Sequence, residues 1–321
     1  MAAARSTSRP DTPAAAARDR RLAEAAVLGV VAFWGSNFVA MKYVVTAMPP
    51  VGAQLVRYTI AALAMLILLW RREGGIGLPR RDLLLAVVFG GLGTGGYQIL
   101  WSTALRSVSA GESALLVAAT PILVAVIAAL FGADRLDIRK LIGILISVGG
   151  VVLVVIAGSG FRLENDLGGP ALTILGDLFW AVYVVVAASL LRRQSALRLS
   201  AWAALAGTVA MVPLGAIQLG QVDLGSVPTL AWVALAASGL LSVAVGNIVN
   251  FRAVALLGPT RVTNYQFLSP LVAIVAGALV LGEVLVPGQL LGGAVIVAGI
   301  LIARGDRLRS AGPLSSSGAA A

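Results

Sequence analysis

Ten apolar runs follow one another along the 321-residue chain with only short polar joints between them. They lie at roughly 22–46, 51–70, 82–105, 108–131, 138–157, 167–191, 199–219, 228–257, 259–280 and 286–304. No other feature constrains the fold as tightly, because hydrocarbon offers a backbone amide no partner and only helices or closed barrels satisfy themselves there. A spanning helix needs about 20 apolar residues, a barrel strand about 10 with alternating polarity. These runs are long, rich in Ala, Gly and Leu, and do not alternate, so the sequence predicts an all-α polytopic membrane protein with ten transmembrane helices. With 12% charged residues and a mean hydropathy of +0.95, a water-soluble globule is excluded.

Residues 1–21, biased to Ala, Ser, Thr, Pro and Arg, read as a disordered cytoplasmic tail, as do residues 305–321. Charge supplies the orientation. Of 24 Lys and Arg, Lys42 and Arg57 lie within runs, Arg106 and Arg162 fall on one side, and the other 20 fall on the opposite side. Basic residues collect on the cytoplasmic face, which predicts an even number of spans and both termini inside the inner membrane. The net charge of +10 then reflects topology: the basic residues flank apolar runs rather than form a stripe with interleaved aromatics, so no nucleic-acid partner is expected.

The chain has no Cys and no His, which removes the thiol nucleophile, the thiolate zinc site and the imidazole acid or base. It also lacks a Gly-x-x-x-x-Gly-Lys-Ser/Thr phosphate loop. An embedded enzyme, a bound cofactor or metal and a primary pump are therefore not expected. A carrier driven by a gradient fits, with a small-molecule substrate and the lipid bilayer as its partners.

Shifting the sequence by 149 residues sets Thr120-Pro121 on Ser269-Pro270, Asp134 on Glu283, Gly143 on Gly292 and Gly150 on Gly299. A shift of 146 sets Phe33-Trp34 on Phe179-Trp180. The chain therefore reads as two five-helix repeats, 22–157 and 167–304. Five is odd, so the second repeat must be inverted relative to the first, with the site expected at their interface.

Polar residues inside spans face the bundle interior, since lipid exposure costs several kcal/mol. In the first run Trp34, Asn37 and Met41 share a face, with Lys42 beside them; in the third Tyr97, Gln98 and Trp101 do the same. Each reads either as substrate contact or as packing and interhelical hydrogen bonding. Asp177, one turn from Trp180 and two from Tyr183, either binds a substrate amine or a proton, or pairs with a basic side chain or a broken helix. Lys42 and Arg57 either attract a carboxylate or phosphate, or snorkel to the outer interface. Asn247 and Asn250, with Tyr265 and Gln266 and the neighbouring Thr263 and Asn264, form a polar cluster expected at the inner end of the second half. Glu112 reads as a helix-start acid, and Pro121 and Pro270 as paired kinks.

The Phe33-Trp34-Gly35-Ser36-Asn37-Phe38 stretch resembles the aromatic-Trp-Gly-Ser-Asn signature of the EamA-type drug/metabolite transporters. Ala104-Leu105, Thr120-Pro121, Ser269-Pro270 and Gly282-Glu283 are similar to that family's other landmarks, in the same order. The resemblance covers about residues 22–304. It implies a ten-helix bundle, cytoplasmic termini, a cavity between the halves and alternating-access export of small metabolites, often amino acids. An exporter of cationic or lipophilic drugs is the alternative that Asp177 beside Trp180 keeps open.

Overall fold

The structure, a computed structural model, describes residues 13–132, 137–158, 167–257, 262, 265–266 and 268–304, and the regular structure among these is helical. Eight helices are long and apolar enough to cross a membrane. They are α1 (Pro13–Ala47), α2 (Pro50–Glu73), α3 (Arg80–Ala104), α4 (Ala110–Leu130), α5 (Ile138–Gly158), α6 (Gly168–Leu190), α7 (Ala196–Gly220) and α8 (Thr229–Asn250). Two shorter apolar helices follow, α9 (Ser269–Leu281) and α10 (Pro287–Ala303). The runs expected at 259–280 and 286–304 thus supply shorter helices than the sequence suggests. Thr263 and Asn264 lie outside the described residues, as do Arg135, Arg162 and Arg261 from the charge count. The expected tail at 1–21 is helical from Pro13 onward, because Ala and Arg in this stretch propagate a helix already nucleated by α1.

Local chemistry sets the helix ends. Pro50 opens α2, where its missing N–H is no loss, and Gly74 closes it in the left-handed conformation at φ 70°. Ser109 and Glu112 form a capping box at the start of α4: the Glu112 amide donates to the Ser109 hydroxyl at 3.0 Å, and the Glu112 carboxylate accepts from the Ser109 amide. Pro121 does not kink a continuous helix. α4 is instead two pieces, Ala110–Val117 and Thr120–Leu130, with Pro121 opening the second. Pro270 likewise opens α9. Both prolines occupy the one place in a helix that needs no amide donor.

Packing exchanges the two halves. α1 packs on α8 and α9, and α6 packs on α3 and α4; α2 meets α7, and α5 meets α10. In the last pair Gly143 lies against Ala303, Gly150 against Ile296 and Gly158 against Gln289, so α5 and α10 run antiparallel. The same holds for α2 and α7, where the Val51 amide donates to Gln218 at 2.9 Å and Glu73 pairs with Arg198 at 3.0 Å. π-helical stretches interrupt α3 at Gly91–Gly96 and α8 at Ser238–Val245, and each is covered by the first helix of the other half. Leu63, Ile67, Trp70, Leu145 and Val280 are exposed on the outside, an apolar jacket suited to lipid.

A β-carbon added at Gly150 would lie 2.7 Å from the Ile296 backbone nitrogen, whereas one at Gly149 would meet nothing within 4 Å. Gly150→Val is therefore expected to destabilise the protein by about 1–3 kcal/mol through overpacking, while Gly149→Val stays near wild type. Thermal unfolding of both variants in detergent checks this.

Candidate functional site

Where α2, α3, α4 and α6 meet, the sequence leaves four strongly polar side chains inside an apolar bundle. Gln54 is 0% exposed, Arg57 3%, Gln98 5% and Asp177 1%. On α2, Gln54 and Arg57 are three residues apart and so share a face. The Arg57 Nη1 donates to the Gln54 Oε1 at 3.1 Å and to the Gln98 Oε1 at 3.3 Å, and the Gln98 Nε2 donates to the Tyr58 hydroxyl at 2.9 Å. The guanidinium also lies 5.5 Å from the centre of the Tyr58 ring, a cation–π arrangement. Among the described residues no carboxylate forms an ion pair with Arg57.

Asp177 lies on α6 with the Thr120 hydroxyl of α4 as its polar neighbour. Tyr97 of α3 lies close enough to feel the charges of both Asp177 and Arg57, and its ring packs on Gly176. Three atoms here have no hydrogen-bond partner among the described residues: Arg57 Nε, Gln54 Nε2 and Asp177 Oδ1. Buried unsatisfied polar atoms are rare because each costs about 1–3 kcal/mol. The site thus holds two free donors, on Arg57 and Gln54, and one free acceptor, on Asp177.

An aromatic wall joins the two ends. Phe38 meets Trp101 edge-on at 5.6 Å, Trp101 stacks on Tyr97 at 6.2 Å, Tyr97 leans on Trp180 at 5.9 Å, and Trp180 on Tyr183 at 5.4 Å. Trp101 is anchored by its indole N–H, which donates to the Ser113 hydroxyl at 3.0 Å. The structure therefore brings together Arg57, Tyr97, Gln98, Trp101, Asp177, Trp180 and Tyr183.

The other candidates have hydrogen-bond partners of their own. The Trp34 indole N–H donates to the Ser242 carbonyl at 2.9 Å, and Asn37 accepts from the Ser238 hydroxyl, so both tie α1 to the π-helical stretch of α8. A wide turn leaves carbonyls free, and the signature residues use one. The Lys42 Nζ donates to the Leu105 and Val108 carbonyls at 2.6 and 2.7 Å, seven and ten residues beyond Gln98. This is a cation on a helix C-terminus, not an anchor beside Arg57, and no snorkelling is needed. Opposite it, both Glu283 carboxylate oxygens accept from the Ala110 amide at 2.9 Å. Gln266 donates to Asn250 at 2.9 Å, Tyr265 packs near Val27 and Val31, and Asn247 is half-buried on the same helix. The Asn250–Gln266 contact is the part of the expected second cluster that the described residues show.

Sequence reasoning missed Gln54 and Tyr58. The signal available was the Gln54/Arg57 spacing on an otherwise apolar run. Thr120 was legible only as a repeat landmark.

Residues 21–156 and 167–305 each match the EamA-like transporter family, and the chain belongs to that family. It is thus a multi-pass membrane protein of a transporter class. A relative named "Probable terminal-alkyne amino-acid exporter", from Streptantibioticus cattleyicolor, is 30% identical over 263 residues, covering 81% of this chain and 85% of the relative. "Uncharacterized inner membrane transporter YedA" of Escherichia coli is 27% identical over 81% of this chain and 83% of its own, and "Uncharacterized transporter YyaM" of Bacillus subtilis 25% over 78% and 83%. One solved crystal structure, 20% identical, covers 88% of this chain and 97% of its own with a TM-score of 0.60, a likeness of fold alone.

Lys42→Met leaves the Leu105 and Val108 carbonyls without their donor and is expected to lower stability by about 1–3 kcal/mol. Thermal unfolding of the purified variant measures it; an unchanged midpoint would deny Lys42 this helix-end role.

Proposed function

We propose that this protein exports small zwitterionic metabolites, amino acids above all, by alternating access through ten spans arranged as two inverted five-helix repeats. The observation that carries the substrate class is the set of unpartnered atoms: Arg57 Nε and Gln54 Nε2 donate to a carboxylate, and Asp177 Oδ1 accepts from an ammonium. A zwitterion supplies both ends at once and neutralises each buried charge, which would otherwise cost several kcal/mol. The aromatic wall between them meets the side chain. The amino-acid exporter among the relatives supports the same class.

Inversion is supported by the antiparallel pairing of α5 with α10 and of α2 with α7, since repeat-equivalent helices run in opposite directions only when one repeat is upside down. α9 and α10 then complete the count of ten spans, both termini are cytoplasmic in the inner membrane, and a solute or ion gradient drives transport. The second reading, export of cationic or lipophilic drugs, draws on Asp177 beside Trp180. Arg57, buried in the same site, repels such a substrate, so the zwitterion is favoured.

Purified protein in liposomes should move labelled phenylalanine and leucine. Arg57→Gln and Asp177→Asn should each cut that flux by about tenfold or more, the worth of one lost charge-assisted hydrogen bond. Wild-type amino-acid flux in both variants would remove these residues from the site, and flux of a quaternary ammonium dye alone would favour the second reading.

Topology has its own check in this cysteine-free chain. Single cysteines beside Arg72 and Arg193 should resist an impermeant reagent applied to intact cells, and one beside Arg106 should react.

A further inference from the structure

We propose that the end of α2, the start of α3 and the end of α6 together form a docking site for the headgroup of an acidic phospholipid. Between residues 71 and 82 and between 191 and 198 the chain carries seven arginines and two acids. Both acids already have partners. Glu73 pairs with Arg198 at 3.0 Å and accepts from the Ser195 hydroxyl. Asp82 pairs with Arg193 at 3.0 Å and accepts from the Gln194 side-chain amide at 2.8 Å. Gln194 and Ser195 are consecutive, so the last turn of α2 and the first turn of α3 are held together on the turn that follows α6.

Around that junction Arg71, Arg72, Arg80, Arg81 and Arg192 are exposed and form no ion pair among the described residues. Position along the helices aims much of this charge at lipid. On α2 the exposed Leu63, Ile67 and Trp70 follow at steps of four and three, the spacing of one helix face, and Arg71 continues it four residues after Ile67. On α3 Arg80 and Arg81 stand four and three residues before the exposed Leu84, and Val87 and Val88 extend the same stripe. Each apolar stripe thus finishes in arginine at the same end of the bundle. Trp70, 64% exposed beside Arg71, is an aromatic of the kind that sits at headgroup depth. The loop between α2 and α3 leaves the arginines uncovered, because its Gly75 and Ile76 carbonyls are tied to Arg198 at 3.4 Å and to the Trp202 indole N–H at 2.7 Å.

Orientation alone asks only that basic residues lie on this side of the membrane. Here they also head lipid-facing stripes, and the acids among them are neutralised. Guanidinium forks match the oxygens of a phosphodiester in pairs, and an acidic phospholipid brings that charge with no cation of its own. A zwitterionic headgroup carries an ammonium that the same arginines repel. In the orientation proposed above this is the cytoplasmic leaflet, whose anionic lipids are drawn to basic clusters at helix ends. Arg71, Arg72, Arg80 and Arg81 belong to the first half and Arg192 to the second, so one headgroup would tie the two halves together at this end.

The test is native mass spectrometry of the full chain in detergent with phosphatidylglycerol and phosphatidylcholine of identical acyl chains. Wild type should retain phosphatidylglycerol in preference to phosphatidylcholine. Joint replacement Arg80→Gln and Arg81→Gln should weaken phosphatidylglycerol binding by about fivefold for each arginine. Arg71→Gln and Arg192→Gln, on other elements, should each weaken it by a similar factor. Joint replacement Arg20→Gln and Arg21→Gln, exposed near the start of α1, should leave it unchanged. Thermal unfolding without lipid should match wild type in the α2, α3 and α6 variants, which separates loss of binding from loss of fold. Equal retention of the two lipids, or an equal loss in the α1 control, would overturn the site and leave only diffuse surface charge. Displacement of the lipid by an excess of soluble glycerol phosphate would overturn the lipid as occupant and assign the patch to a free phosphate. None of these outcomes depends on which solute is carried.

Discussion

Inside hydrocarbon, a polar atom that the protein does not satisfy is not satisfied at all, and this constraint organises the whole molecule. It makes every span a helix, and it places acids and bases at the ends where helices leave amides and carbonyls over. Lys42 occupies the C-terminal carbonyls of α3, Glu283 and the Ser109/Glu112 box the N-terminal amides of α4. Even the π-helical stretches obey it, with the Trp34 indole taking the Ser242 carbonyl and the Thr94 hydroxyl the Ala203 carbonyl at 2.7 Å. Against that background, the unpartnered Arg57 Nε, Gln54 Nε2 and Asp177 Oδ1 stand out inside the bundle.

The scaffold reaches this economy through exchange between halves. Gly143, Gly150, Gly292 and Gly299 let α5 and α10 approach backbone to backbone, and small residues supply the close packing that lipid-facing helices otherwise lack. Each half buries the weak point of the other: α1 covers the π-helical stretch of α8, and Phe179 and Tyr183 of α6 cover that of α3. Wide turns of this kind loosen a helix locally, and here they lie where the two halves pack on each other.

Chemistry departs from the symmetry that packing respects. Arg57 belongs to one half and Asp177 to the other, and their repeat-equivalent positions hold Ala203 and Val31. The base and the acid therefore come from different halves of the chain.

How much of this was legible beforehand follows from the range of the forces. Run length, the 149-residue repeat and the charge asymmetry are properties of the chain read alone, and they determined a helical membrane protein with two related halves. They also put Arg57, Gln98 and Asp177 inside, because burial follows from position within an apolar run. Partnership does not follow from position, since it depends on which helix faces which. Only the tertiary structure decided that Lys42 caps α3, that Trp34 and Asn37 hold α8, that α4 is broken beside Asp177, and that Gln98 joins Arg57 and Tyr58. Hydrogen bonds act over about 3 Å, and contacts that short between residues 40 to 200 positions apart exist only once the helices have packed.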